Sequence, residues 1–334
     1  MKPTSTLLLS ALLAVAAGCG IPDASDSPAE RRLSPLEASF AAAAREYQVP
    51  VGVLKAVAYV ETRVSMVNGV DGLGVMHLVD RDDWSMATRA AALTGTTKGR
   101  LAVDPSANIR GAAAVLRELF DRVAAGDTSL DARAPGDWFR AVALYPGIDS
   151  ASGSAEYAAD VFARLEAGFT LDTRTGRVTL EPTATAWRRF APSTGARHDA
   201  LGDYPGSAAY VQSPNYSSGR TNYTWVVIHT MQGSYGGTRS WFQNTSAQVS
   251  SQYIVRSSDG QITQMVSDGD TAWHAQCYNA RSIGIEHEGY VADPGLWYTE
   301  AMYSESANLT RWLCDRHGIP KDRTHIIGHY EVAP

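Results

Sequence analysis

Apolar residues recur at helical spacing through the first half of the chain. Leu36, Phe40 and Ala44 follow one another at intervals of four positions, which places them on one face of a helix. Another helix is predicted to begin after Asp104, because this residue type caps helices and a proline follows it in the first turn. Residues 36–168 are therefore predicted to form an all-α domain.

The pattern changes in the second half, where short strands alternate with helices. Trp225–Thr230 is apolar on both faces, as a central strand is. Asp259 and Gly260 separate two short apolar runs and predict a hairpin turn. Strands interleaved with helices predict an α/β domain over residues 210–334, with a mixed sheet flanked by helices.

Two stretches lack a sustained hydrophobic period. Thr, Pro, Arg and Gly dominate residues 169–209, which are predicted to be a linker with one hairpin near Thr170–Leu180. Residues 20–34 are rich in Ser, Pro, Asp, Glu and Arg, a composition typical of a flexible tether.

The first residues have the pattern of an export signal. Lys2 precedes an apolar run from Leu7 to Ala17, which is too short to span a bilayer and has the length of a signal-peptide core. The run ends in Ala-Ala-Gly-Cys, which resembles the lipobox of bacterial lipoproteins. We predict that residues 1–19 are a lipoprotein signal peptide and that Cys19 is lipidated, anchoring an exported protein to the membrane of the bacterial cell envelope. An ordinary secretory signal with a chance cysteine is the alternative.

Composition narrows the choice of partners. The chain has 334 residues, enough for two domains, and 44% of them are hydrophobic. The formal net charge is -6 with both signs mixed along the chain, so the basic surface of a nucleic-acid-binding protein is not expected. Cys277 and Cys314 are free to form a disulfide in an oxidising compartment. Two unrelated buried thiols are the alternative.

Two histidines end predicted strands. His229 closes the apolar run Trp225–Thr230, and His329 closes a second run near the C-terminus. Two neutral imidazoles held by neighbouring strands suit a zinc site, although each histidine alone is more often structural. His325 and His329 would lie roughly 13 Å apart on one strand, so His325 is not expected to bind the same metal.

The segment Ser282–Glu288 alternates strictly between its two faces. Period two places Ile283 and Ile285 on one face, and Glu286 on the other face beside Gly284. We expect the isoleucines to lie under a helix and the glycine to leave room for a ligand. The alternative is a surface strand on which Glu286 and Glu288 lie side by side.

Five motifs in the second half occur in a fixed order. They are Val226–Thr230, Ser250–Tyr253, Ala272–Ala275, Asn279–Glu286 and Gly328–Pro334. Together they resemble the zinc amidases related to the lysozyme of phage T7 and to the animal peptidoglycan recognition proteins. The resemblance implies a hydrolase that uses zinc-activated water to cleave the amide between N-acetylmuramic acid and the L-alanine of the peptidoglycan stem peptide.

The resemblance also implies roles for individual residues. It implies zinc ligation by His229 and His329, with Glu286 as the general base. It suggests that Asn279 and His274 line the substrate groove, that His274 stabilises the oxyanion, and it assigns Tyr253, in the second motif, to substrate binding. The third zinc ligand of the family follows the Ala-Pro with which this sequence stops, so we expect a C-terminally incomplete domain or an incomplete zinc site. A non-catalytic peptidoglycan-binding protein is therefore the alternative. A serine hydrolase is not expected, since the sequence has no Gly-x-Ser-x-Gly motif.

The first half carries a second resemblance. Glu61 lies on the same predicted helix face as Leu54 and Val57, where a carboxylate suits a general acid, although a solvent-facing helix end is the simpler interpretation. The segments around Glu61, His77 and Tyr145 look like those of lysozyme-like lytic transglycosylases, with His77 where that family usually has glutamine. The resemblance implies that Glu61 protonates the glycosidic oxygen and that Tyr145 lies near the sugar, so that this domain either cleaves or binds glycan strands.

Overall fold

The computed structural model describes residues 33–68, 72–81, 84–148, 151–191 and 202–332. The predicted lipidation site Cys19 and the final Pro334 lie outside these residues. Ser34–Pro334 belong to one compact unit, which includes both predicted folded regions. Within the described ranges, no helix has the length and apolar character that crossing a membrane requires.

The first half of this unit is mostly helical. Its helices are α1 (Pro35–Tyr47), α2 (Val51–Thr62), α3 (Met86–Thr94), α4 (Lys98–Val103), α5 (Pro105–Ala124), α6 (Phe139–Leu144) and α7 (Ala151–Ala167). The predicted cap of α5 is confirmed, because the Asp104 carboxylate accepts hydrogen bonds from the backbone N–H groups of Ser106 and Ala107. Leu36, Phe40 and Ala44 of α1 lie in the helical core, as their spacing predicts.

Short strands interrupt the helices, so the prediction of an all-α region needs correction. Strands β1 (Gly72–Leu73) and β2 (Leu78–Val79) form an antiparallel pair. Strands β3 (Phe169–Thr173) and β4 (Gly176–Leu180) form the hairpin predicted within the linker. Sequence periodicity misses β1 and β2 because two residues are too few to show alternation.

The second half is built on a six-stranded mixed sheet. The described strands of this half are β5 (Ala209–Tyr210), β6 (Tyr216–Ser217), β7 (Trp225–Thr230), β8 (Tyr253–Val255), β9 (Ile262–Gln264), β10 (Thr271–Ala272), β11 (Ser282–His287) and β12 (Ile326–Gly328), of which all but β6 and β10 belong to this sheet. The sheet order is β12-β7-β11-β8-β9-β5, and β6 pairs separately with β10. The strands from β12 to β8 run parallel, whereas β8 and β9 form the antiparallel hairpin predicted at Asp259 and Gly260.

Helices cover both faces of this sheet. They are α8 (Tyr235–Gln243), α9 (Pro294–Trp297) and α10 (Glu300–His317). Ile283 and Ile285 pack in one core with Leu309 and Leu313 of α10, which confirms the predicted apolar face of β11. The opposite side includes a smaller apolar cluster around Phe242 of α8.

The two halves pack directly against each other along α7 and α8. At Gly236 of α8 the backbone comes so close to α7 that a Cβ atom would lie 3.1 Å from the ring of Tyr157. The guanidinium of Arg239 forms an ion pair with Glu156 of α7. Arg256, which follows β8, lies 3.1 Å from the Asp160 carboxylate of the same helix. The helical half and the sheet therefore share a packed interface.

Arg63 strengthens this interface at a second place. Its guanidinium lies 4.4 Å from the ring centres of both Tyr59, in α2, and Trp297, in α9. It also lies 3.9 Å from the Glu288 carboxylate, which follows β11. One buried cation therefore joins side chains from both halves.

The positions of Cys277 and Cys314 differ from the predicted disulfide. Cys277 is an exposed free thiol, whereas Cys314, a residue of α10, is a free thiol buried in the core. The predicted disulfide does not form in this structure, and the alternative of two buried thiols holds for Cys314 but not for Cys277.

Candidate active site

Parallel pairing of β7 and β11 brings His229 and Glu286 together. The register places Glu286 directly opposite His229, so both side chains project from the same face of the sheet. The Glu286 Oε1 atom lies 3.7 Å from His229 Nδ1. Both residues line one cavity of about 520 Å³.

His329 reaches the same place from the neighbouring strand. It directly follows β12, which pairs with β7 in parallel. The ring centres of His329 and His229 are 4.4 Å apart, so the two predicted ligands converge. His325 lies elsewhere, with its Nδ1 atom 2.7 Å from the Asp322 carboxylate at the exposed edge, which agrees with its predicted exclusion.

His274, which follows β10, contacts this group through both ring nitrogens. Its Nδ1 lies 3.0 Å from His229 Nε2, and its Nε2 lies 3.3 Å from the Ser282 hydroxyl. Because that hydroxyl donates to the Tyr278 carbonyl, its oxygen is left to accept from His274. Both ring nitrogens of His274 therefore have protein partners, and the imidazole supports the His229 ring. Its role in stabilising an oxyanion stays a prediction.

Gly284 makes this position of His274 possible. A Cβ atom at residue 284 would lie 2.7 Å from His274 Nδ1 and 2.8 Å from the Ser251 hydroxyl oxygen, which is closer than packed atoms allow. The space predicted for a ligand above Gly284 is therefore occupied by the protein's own imidazole.

Burial controls the charge of these groups. It lowers the pKa of His229 well below its usual value and the pKa of His274 to about 3, so both imidazoles are neutral near pH 7, the form that binds metals. Burial also raises the pKa of Glu286 to about 8. The Oε2 atom of Glu286 is buried without a hydrogen-bond partner, which is costly unless a ligand or ion satisfies it.

These features fit a divalent metal held by two imidazoles. The rings of His229 and His329 lie 4.4 Å apart, and a carboxyl with one unsatisfied oxygen lies beside His229. No set of three histidine, cysteine, aspartate or glutamate side chains in the described ranges is arranged to hold a metal. Two nearby residues point away: His287 bonds to the His229 carbonyl and to Ser306, on the α10 side of the sheet, and Glu331 bonds to Arg323.

Comparison with known proteins adds a family to this geometry. Residues 219–333 match the model of the N-acetylmuramoyl-L-alanine amidase family. This segment, about a third of the chain, is similar to the amidase family. It contains His229, His274 and Glu286, together with His329.

Two curated relatives match parts of the chain. N-acetylmuramoyl-L-alanine amidase A from Achromobacter lyticus is 53% identical over 107 residues, which are 32% of this chain and 60% of that protein. The 1,6-anhydro-N-acetylmuramyl-L-alanine amidase AmpD from Haemophilus influenzae is 36% identical over 85 residues, which are 23% of this chain and 44% of that protein. The chain thus spans about half the length of these relatives. A solved mutant endolysin from Bacillus subtilis is 20% identical, with a TM-score of 0.30, and the match covers 37% of this chain and 84% of that chain.

Two predicted groove residues of the amidase domain take different positions. Asn279 lines the cavity, and its side-chain oxygen accepts hydrogen bonds from the backbone N–H groups of His274 and Ala275. It therefore shapes the loop that carries His274. Tyr253 is completely buried and its hydroxyl donates to Asp268, so its predicted contact with substrate is wrong for this structure.

The predicted glycan site of the helical half is closed. Glu61 is only 2% exposed. Its Oε1 atom accepts from the Tyr157 hydroxyl at 2.6 Å, and its Oε2 atom accepts from the Ser234 hydroxyl of the amidase domain at 3.2 Å. Tyr145 is also fully buried and donates to the Met76 carbonyl. Neither residue can reach a sugar in this arrangement.

The structure also adds cavity residues that the sequence did not indicate. His77 from the helical half lines the amidase cavity, as do Trp241 of α8 and Trp273 beside His274. The turn Met231–Ser234 after β7 lines it as well. The sequence could have indicated the turn, because it directly follows the strand that ends near His229. It could not have indicated His77, which is far from the amidase motifs in the chain.

Proposed function

We propose that this protein is a zinc-dependent N-acetylmuramoyl-L-alanine amidase of bacterial peptidoglycan. The observation that carries the proposal is the convergence of His229, His329 and Glu286 in one cavity of a segment that matches the amidase family. The names of both curated relatives state an amidase acting at the bond between muramic acid and L-alanine.

His229 and His329 would hold the zinc ion through neutral imidazoles. His274 supports the His229 ring from the side, at 3.0 Å, as hydrogen-bonding neighbours of metal ligands commonly do. Bound zinc supplies Lewis-acid polarisation of the scissile carbonyl and activation of a water molecule.

Glu286 would manage the protons of the reaction. Its carboxylate accepts a proton from the attacking water and then returns it to the amine of L-alanine as the amide breaks. Burial raises the pKa of this carboxyl to about 8. Because this pKa is close to neutral pH, the group can both accept and return a proton.

Metal removal and a ligand substitution test this proposal. The full chain is treated with a chelator, then reloaded with zinc and incubated with purified peptidoglycan. Release of stem peptides with a free L-alanine amine should disappear with the chelator and return with zinc. His229→Ala should neither retain zinc nor release peptides, while His325→Ala, which changes a partly exposed histidine outside the cavity, should do both.

Two results would contradict the amidase proposal. One is a zinc-loaded wild-type protein that binds muropeptides without cutting them, which would support a peptidoglycan-binding protein instead. The other is peptide release that His229→Ala leaves unchanged, which would place the reaction at another site.

We further propose that the protein is exported and anchored by a lipid on Cys19. The proposal is supported by the signal-like sequence that ends at this cysteine. Cys19→Ala should move the protein from the membrane fraction to the soluble fraction of the envelope. We also propose that the helical half is of lysozyme-like, lytic-transglycosylase ancestry, on the strength of the motifs around Glu61, His77 and Tyr145.

A further inference from the structure

We propose that the helical half is a built-in wall of the amidase cavity rather than a separate glycan-cleaving centre. In this arrangement His77 contacts the bound muropeptide outside the scissile amide, and Glu61 is a positioning residue that holds His77 beside the turn at Ser234. The identity of the substrate rests on the proposed amidase function, whereas the shared cavity does not.

The cavity itself joins the two halves. The same space of about 520 Å³ that contains His229, Glu286 and His329 is lined by His77. His77 follows β1 in the helical half and is far from the amidase motifs in sequence. His77 is therefore a residue of the first half that borders the cavity in which a ligand of the amidase centre would bind.

The backbone of His77 is fixed in an uncommon conformation. Its φ angle is +45°, in the left-handed region that few residues other than glycine adopt. Its N–H donates to the Gly74 carbonyl. The neighbouring Met76 is bound on both sides, since its N–H donates to the Asn108 side chain and its carbonyl accepts from the Tyr145 hydroxyl. Such strain persists where surrounding contacts hold it, commonly at functional sites.

Glu61 connects this turn to the amidase domain. One of its carboxylate oxygens lies 3.4 Å from His77 Nδ1 and accepts from the Ser234 hydroxyl. Ser234 caps α8 by accepting the Gly237 N–H and also lines the cavity. Glu61 therefore links two cavity-lining residues from opposite halves, and Tyr157 completes its hydrogen bonds.

A second contact orients a cavity residue in the same way. The Arg81 guanidinium, from the helical half, lies 5.0 Å from the ring centre of Trp241 and donates to the Gly147 carbonyl. Trp241 lines the amidase cavity. The helical half thus contributes His77 to the cavity wall and contacts Trp241 through Arg81.

The packed interface keeps Glu61 enclosed. Exposing this carboxylate by separating α7 from the second half would break the contacts of Tyr157 with Gly236 and of Asp160 with Arg256. The enclosure that excludes a glycan from Glu61 is the same packing that brings His77 to the amidase cavity.

Matched variants of the zinc-loaded full chain test this role. The probe is N-acetylglucosaminyl-N-acetylmuramoyl-tetrapeptide, and release of the tetrapeptide is followed. His77→Asn, which tolerates a positive φ, should raise KM about fivefold with kcat within about twofold, as loss of one binding contact predicts. Glu61→Gln should shift KM in the same direction by a smaller factor. Gln48→Asn, an exposed control with a φ of +52°, should match the wild type.

Should Glu61→Gln fail to fold, Ser234→Gly replaces it, because glycine retains most of the helix cap but loses the contact with Glu61. An unchanged KM in folded His77→Asn and in Ser234→Gly or Glu61→Gln overturns the proposal. So does release of new sugar ends from glycan strands by the wild type but not by Glu61→Gln.

The outcome is separable from that of the amidase proposal. If the wild type releases no peptide, the amidase function fails, and calorimetric binding of the same muropeptide then decides the question. Weaker binding by His77→Asn than by Gln48→Asn supports the shared wall, and equal binding overturns it.

Discussion

Glu61 and Glu286 are both buried carboxyls, one in each half of the molecule, yet their surroundings differ. Glu61 receives hydrogen bonds from Tyr157 and Ser234, and packing closes the space around it. Glu286 has one oxygen without a partner and lines an accessible cavity next to His229. The protein satisfies the first carboxyl internally and leaves the second to be satisfied by a ligand.

The difference shows what separates a structural acid from a reactive one. Burial alone does not, because both side chains are largely removed from water. An unsatisfied polar atom carries a cost of desolvation that a bound ion or substrate can relieve, and the raised pKa of Glu286, about 8, records that cost. A carboxyl whose hydrogen-bond partners all lie within the protein has no such cost for a ligand to relieve.

The largest effect is expected from Glu286→Gln. The amide cannot accept the proton of the attacking water, so the rate of peptide release should fall by about 10²- to 10⁴-fold. Thermal stability should stay the same or rise, because the variant removes a buried carboxyl without a partner. Initial rates and a thermal unfolding curve measure both. A large loss of stability with retained activity would reverse the contrast with Glu61.

The positions of several residues of the candidate site could be predicted from short stretches of sequence. The alternation of β11 placed Glu286 opposite the isoleucines of the core, and the strand-ending histidines marked two further groups. Period and strand ends are properties of a few consecutive residues. The hairpin at Asp259 and Gly260 was predictable for the same reason.

The closed state of Glu61 could not be found in this way. It depends on Ser234, on a different domain, and on the approach of α7 to Gly236, which are contacts between distant parts of the chain. Tyr253 shows the same limit, since its motif suggested a groove residue while its hydroxyl bonds to Asp268 within the protein. The direction in which such a side chain leaves a buried strand depends on the complete fold.

Arg63→Ala tests the packing that encloses Glu61. The variant removes a buried cation that contacts Tyr59, Trp297 and Glu288, and it should lower the free energy of unfolding by about 3 kcal/mol. Denaturant unfolding measures this change. The control Arg100→Ala, which loses an exposed ion pair with Asp104, should cost at most about 0.5 kcal/mol. Equal costs would show that Arg63 does not hold the halves together.

The smallest effect concerns pH and the contact of Asp160 with Arg256. Burial raises the pKa of Asp160 from 3.8 to about 6, against the opposing effect of Arg256. The folded protein therefore binds a proton more tightly than the unfolded chain, so this group favours folding below pH 4 and loses that contribution as the pH rises to about 6.

Asp160→Asn isolates this contribution. Relative to the wild type, the variant should become more stable as the pH is raised from about 4 to about 7, because asparagine avoids the buried charge. Melting temperatures of both proteins across this range provide the comparison. A difference that does not vary with pH would show that Asp160 is as well solvated in the folded protein as in the unfolded chain.

The pairing of Glu286 with His229 across two parallel strands has an implication for how the centre tolerates mutation. Main-chain hydrogen bonds fix the separation of their Cα atoms, so loop insertions and surface changes can accumulate without altering it. A slip of β11 by a single residue would instead present Ile285 or His287 at that position. The pairing of β7 with β11 therefore sets the distance between His229 and Glu286, and a change in strand register would displace both groups from each other at once.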